Sequence, residues 1–151
     1  MESQALALGY WDTHGSGGLG FPKFKDTLCP TLDQSLSALI EDLHQRGMEN
    51  DVVVVVWGEF GRSPRINKDA GRDHWLPAMS ALIAGGGLKT GQVIGSTDAR
   101  GEYPKDRPYR VSNVLSTVCQ TIGIDPGMTF MDGSGRPTYL LDDREPIREL
   151  L

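Results

Sequence analysis

The stretch "DVVVVVWGEFGR" restricts what this chain can fold into more than any other. Five successive valines favour a strand over a helix, because a side chain branched at Cβ is stiff at χ1 and suits the pleated surface. A run without polar alternation predicts a strand covered on both faces, the habit of parallel sheets flanked by helices. Val52–Trp57 is therefore expected to be an interior strand with Glu59 at its carboxyl end. "ALALGYW" (Ala5–Trp11) and "AMSALIAGGG" (Ala78–Gly87) read as two further strands, the first half of the latter being compatible with a helix as well, "QVIG" (Gln92–Gly95) as a short edge strand, and Thr138–Leu141 as a short strand near the end.

Two helices fall between them. Thr31 with Gln34 matches a capping box, Asp33 suits the positive end of a helix, and Leu36, Leu39, Ile40 and Leu43 repeat at helical spacing up to Gly47. A second helix is expected from Ser112 as its cap to Ile122, closed by Gly123. Its apolar stripe is Val111, Val114, Leu115, Val118 and Ile122, with Cys119 as a small core residue. Cys29, just before Pro30, reads as a loop residue. The order strand, helix, strand, strand, helix predicts an α/β architecture: a mainly parallel sheet flanked by helices, in one domain spanning residues 1–151. At 151 residues, 38% hydrophobic and 23% charged, the chain can bury a core of ordinary kind.

A net charge of −5 argues weakly against nucleic acid or an anionic membrane as the main partner. No apolar run approaches the roughly 20 residues of a membrane helix, and "MESQALALGYWD" has no basic segment followed by a long apolar one. Two cysteines make no disulfide framework. Gly15, Gly17 and Gly20 satisfy GxGxxG, but a dinucleotide site needs a helix to open within the motif. Phe21-Pro22 follows and the helix is expected only near Leu32, so the match is set aside.

The chemistry concentrates after the strands. In an extended segment residues i and i+2 point to one side, so Asp12 and His14 can converge on one ion. Asp73-His74 and Glu59 offer further carboxylate and imidazole groups, the ligand types for zinc, manganese or iron. Blander readings stand beside this one: His14 capping a turn, Asp73-His74 as a surface pair. His44, near a helix end, suits the helix dipole and reads as structural. Of Arg62, Arg65 and Arg72, Arg62 in its glycine-flanked turn is the best candidate to clamp a phosphate or sulfate oxygen; Arg65 reads as a solvated loop residue.

"GYWDTHG", "VVVVVWGEFGRSPRIN", "AGRDHW", "IAGGGLKTGQVIGSTDARGEYPKDRP" and "EPIRELL" together resemble the C-terminal part of the family called domain of unknown function 1501. The resemblance covers nearly the whole chain. That family looks like a branch of the alkaline phosphatase and sulfatase superfamily, whose α/β fold uses one or two metals to cleave phosphate or sulfate esters. The resemblance implies Asp12, His14, Glu59 and His74 as metal positions, zinc or manganese as the ion, Glu59 as ligand or general base and Arg62 as anion clamp. Two departures from the superfamily pattern accompany it: Glu59-Phe60 stands where an Asp-His pair is usual, and Asp-x-His is a shorter spacing.

The superfamily's nucleophile lies in an N-terminal part with no counterpart here, so the chain reads as the C-terminal portion of such a domain and is expected not to turn over substrate alone. Its relatives are expected to be exported, to the periplasm or outside the cell. The favoured expectation is a metal-dependent hydrolase-like protein acting on a small anionic ester; the alternative is a non-catalytic binding or scaffold module that keeps the fold.

Overall fold

A computed structural model describes residues 11–15 and 20–151. In chain order it contains α1 (Phe21–Lys23), a π-helical turn (Phe24–Leu28), α2 (Cys29–Gln45), β1 (Val53–Val56), β2 (Gly61–Arg62) and β3 (His74–Trp75). Then come β4 (Leu82–Gly85), β5 (Ser96–Thr97), β6 (Pro104–Asp106), α3 (Val111–Thr121), β7 (Thr129–Met131), β8 (Pro137–Tyr139) and a 3₁₀ turn (Arg148–Leu150). The chain divides into two compact units. The first comprises Met1–Asp42, Trp57–Ala81 and Thr97–Pro104; the second comprises Leu43–Val56, Leu82–Ser96 and Lys105–Leu151.

The mainly parallel layered sheet expected from the valine run does not form. Among the described residues strands pair only in twos. β1 pairs antiparallel with β4, Val53 opposite Gly85 and Val56 opposite Leu82. Parallel pairing needs a crossover, usually a helix, to bring the chain back in the same direction. No helix lies between Val56 and Leu82, so the next apolar run can only return antiparallel. All four β1 residues are half-buried rather than enclosed on both faces, and Trp57 is exposed. A continuous apolar run reports hydrophobic demand; it does not report how many neighbours answer it. Of the strand expected at Ala5–Trp11, residues 5–10 lie outside the described residues, and Trp11 sits in a bend. Gln92–Gly95 forms no strand; the short strand there is displaced to β5.

The first helix begins eleven residues before Leu32, at Phe21, with Pro22 in the first turn, where a missing N–H costs nothing. Pro30 therefore lies inside the helical segment, directly after the π-helical turn that absorbs the break in the hydrogen-bond ladder. Thr31 is not a cap: its hydroxyl donates to the Thr27 carbonyl one turn back, at 2.7 Å. Cys29 is helical, not in a loop. The helix follows the GxGxxG match more closely than expected, opening directly after Gly20. The motif nevertheless lacks the parallel strand–helix–strand unit that a dinucleotide site requires, which is absent among the described residues. No helix of the described residues is long and apolar enough to cross a membrane.

The apolar core sits in the second unit. Val114, Ile147 and Leu150 are buried together, and Val55, Ile83, Leu88 and Ile94 pack against them. α3 turns an unexpected face inward. Asn113, Val114, Ser116 and Thr117 are buried, while Val111, Leu115 and Ile122 of the expected stripe are exposed. The buried polar groups are satisfied by the C-terminal segment. Asn113 Nδ2 donates to the Glu145 carbonyl at 2.8 Å and Ser116 Oγ to the Arg144 carbonyl at 2.5 Å. The Ile147 N–H donates to Thr117 Oγ1 at 2.8 Å. Ser112 is not the cap either; Asn113 Oδ1 accepts the Arg110 N–H at 2.7 Å and the Asn113 N–H returns to the Arg110 carbonyl at 3.0 Å.

Candidate metal-binding site

Two loops of the first unit build the site. One is the short segment from Trp11 to Gly15. The other leaves β1, makes β2, turns through Asn67–Gly71 and returns as β3, with Gly61 opposite Trp75 and Arg62 opposite His74. That register fixes Arg62 and His74 as neighbours in a two-residue ladder.

The loops are joined by backbone contact so close that side chains are excluded. A Cβ on Gly71 would stand 2.3 Å from the His14 carbonyl carbon and 2.5 Å from the Gly15 nitrogen, and one on Gly15 would stand 2.4 Å from the Asp69 carbonyl oxygen. Gly15 also has φ of +98°, a conformation costly for any residue with a Cβ. The Arg72 N–H donates to the Thr13 carbonyl at 3.1 Å. Asn67 completes the join: its Nδ2 donates to the His14 carbonyl at 2.9 Å and to Asp73 Oδ1 at 2.8 Å. Its Oδ1 accepts the N–H groups of Asp69 and Gly71, each at 3.0 Å.

On this frame Asp12, His14 and His74 come together, each offering one ligand atom, all within 4.8 Å of one another. Asp12 Oδ1 lies 2.5 Å from His14 Nδ1, 2.8 Å from Arg62 Nη2 and 3.2 Å from His74 Nε2. The Asp12 carboxyl is held well below the usual carboxylate range. Burial, the largest single influence, pushes the other way, but the hydrogen bonds from His14, Arg62 and His74 and the charge of His14 together outweigh it. The carboxylate is thus ionised, as a ligand must be. The three side chains stay 38–47% exposed, so the cluster is open to solvent.

Their spacing suits an ion. Two atoms each about 2 Å from a tetrahedral zinc stand roughly 3.3 Å apart. Asp12 Oδ1 and His74 Nε2, at 3.2 Å, already match; His14 Nδ1, hydrogen-bonded at 2.5 Å, would have to draw back by a fraction of an ångström or more. One carboxylate oxygen and two imidazoles form the mixed donor set of zinc sites that keep a position open for water or substrate.

The other candidates are placed differently. Glu59 is exposed and is not one of the gathered residues. Arg62 reaches the cluster, but its guanidinium is engaged: Nη1 donates to the Arg72 carbonyl at 3.2 Å, and Nη2 to the Trp11 carbonyl at 3.3 Å as well as to Asp12. Arg72 donates to the Ser63 carbonyl at 2.7 Å, while Arg65 is solvated beside Glu102 at 3.7 Å. Phe60 lays its ring 4.3 Å from that of His74, and the His14 and His74 rings meet edge-on at 5.6 Å. Phe60 therefore buttresses an imidazole.

Sequence reasoning missed Asn67, Phe60 as a packing partner, and the Gly15–Gly71 approach. Asn67 carried a usable signal, since "INKDAG" places an asparagine where a turn needs side-chain acceptance of nearby N–H groups.

No curated protein and no solved structure matched the chain. A family model does match, over residues 4–151: the family described as a protein of unknown function, DUF1501. The sequence blocks and the family model agree over almost the entire chain, and the chain belongs to the DUF1501 family.

Proposed function

We propose that this chain binds a divalent ion, zinc or manganese, through Asp12, His14 and His74, and uses it toward a small anionic ester of phosphate or sulfate. The observation that carries the reading is the convergence of these three ligand atoms within 4.8 Å on a frame of backbone contacts. The ion would supply Lewis acidity at a phosphoryl or sulfuryl oxygen. This chain's residues would hold the ion and orient the anion, and no nucleophile is assigned among the described residues. Asp12 supplies negative charge, His14 and His74 supply nitrogen donors, Phe60 holds the His74 ring, and Arg62 holds Asp12 while adding positive charge that favours an anionic substrate. Glu59, exposed three residues past β1 and outside the gathered residues, is the carboxylate this reading assigns to general-base work. Kinship with metal-dependent phosphatases and sulfatases belongs to this proposal and rests on ligand chemistry, not on the sheet.

A second reading, a binding module without catalysis, is favoured by one specific observation. The donors around Asp12 already satisfy one of its oxygens, and the Arg62 fork is committed to carbonyls. The two readings separate on anion recognition. Inorganic phosphate or sulfate is titrated into the chain by calorimetry with and without zinc. The ester reading expects zinc-dependent anion binding that His74→Ala abolishes. Anion binding indifferent to zinc and to His74→Ala would overturn it.

A further inference from the structure

The segment carrying His14 and the loop leading to His74 come from stretches of chain about sixty residues apart, and something must hold them in register. Hydrophobic packing does not do this. Among the described residues of the first unit, the buried positions beside the site are Thr13, Ser63 and Gly71. Two side chains reach across: Arg62, which bonds the Trp11 carbonyl and Asp12 while holding the Arg72 carbonyl, and, at His14 itself, Asn67. Asn67 Nδ2 donates across to the His14 carbonyl and sideways to Asp73 Oδ1, next to His74, while its Oδ1 ties down Asp69 and Gly71.

We infer that Asn67 is a positioning residue that presets the distance between the imidazoles of His14 and His74. This rests on the ion reading above for its consequence, but not for its geometry. The amide is suited to the task because it presents donors and an acceptor at opposite ends of one rigid plane. The acceptor end shapes the turn, and the donor end bridges the two ligand-bearing segments. Groups that orient metal ligands without touching the ion typically change affinity about 10- to 100-fold when removed.

The two ends can be separated by substitution. Asn67→Asp keeps acceptors for the Asp69 and Gly71 N–H groups, loses the donors to His14 and Asp73, and sets a second carboxylate beside Asp73. Asn67→Ala loses both ends. Zinc is titrated into the parent chain and both variants by calorimetry, with circular dichroism as the check on folding. ¹⁵N spectra of the histidine rings are recorded without metal. The expected result is a zinc affinity about 10- to 100-fold weaker in both variants. In metal-free protein the His14 Nδ1 signal should also move away from its Asp12-bonded position in both.

A residue that only shaped the turn would give a different pattern, with Asn67→Ala impaired and Asn67→Asp normal; that result overturns the inference. Unchanged histidine spectra in both variants would overturn it too, whatever zinc does. If the parent chain binds no zinc, the ion reading fails, and the metal-free histidine spectra alone judge whether Asn67 sets the imidazoles.

Discussion

Inside each of its two units this molecule is organised by opposite means. The second unit gathers Val114, Ile147 and Leu150 into an apolar cluster, with half-buried aliphatic residues around it. The first unit, where the histidines meet, buries Leu28 alone among large hydrophobic side chains of its described residues. Its site is joined by glycines at contact distance, backbone hydrogen bonds, and the side chains of Asn67 and Arg62. Apolar burial is non-directional and tolerates small shifts, whereas hydrogen bonds to fixed carbonyls specify position. A site that must place three ligand atoms is better served by the second kind of joint.

This contrast can be broken at its strongest point first. Ile147→Ala removes a residue only 5% exposed from the centre of the cluster and should lower stability by about 2–5 kcal/mol, read as a drop in the urea midpoint. No ligand rests on that cluster, so zinc affinity of the remaining folded protein should be unchanged. A parallel loss of zinc affinity would show that the site depends on the core after all.

Gly71→Ala should do the converse. Its new methyl would meet His14 and Gly15 backbone at 2.3–2.5 Å, which no side-chain rotation relieves. The expected cost in stability is about 1–3 kcal/mol, smaller than for Ile147, but with zinc binding lost. Wild-type zinc affinity in this variant would mean the two loops are not in the contact described.

The smallest effect belongs to the edge of the apolar unit. The Tyr109 hydroxyl donates to Glu149 Oε2 at 2.5 Å, and Arg107 bonds the other oxygen at 3.2 Å. The hydrogen bond from Tyr109 is the main reason Glu149 titrates below the usual range, and the same bond pushes Tyr109 up. The signs oppose. A depressed carboxyl stabilises above its ordinary pKa and loses that contribution as pH falls through the folded value. A raised phenol stabilises below its ordinary value near about 10 and loses the contribution as pH climbs past it. Thermal midpoints should therefore sag slightly at both extremes, and Tyr109→Phe should flatten the alkaline limb.

How much of this was legible follows the same division. Asp12 and His14 were legible as groups that could converge, because residues i and i+2 of an extended segment share a side; His74 joins them, and Asp73 is not among the gathered residues. The helix endings at Gly47 and Gly123 were also readable, since both glycines take positive φ. The sheet was misread because valine content sets how much surface wants cover, whereas strand direction depends on what lies between strands. The face of α3 was misread for a related reason. Asn113, Ser116 and Thr117 are buried because the distant segment 144–147 satisfies them, and no local periodicity encodes a partner 28–32 residues away. The first helix was started late because Thr31 and Gln34 match a capping box, whereas Thr31 lies inside the helix and its hydroxyl bonds one turn back.

The central claim is that Asp12, His14 and His74 form one ion site. Zinc titrated calorimetrically into the chain and into Asp12→Ala, His14→Ala and His74→Ala tests it most directly. The account predicts one ion per chain, with affinity reduced at least about tenfold in each variant, since each removes one ligand of a shared site. Zinc binding equally tight in all three variants, or absent from the parent chain, would contradict it.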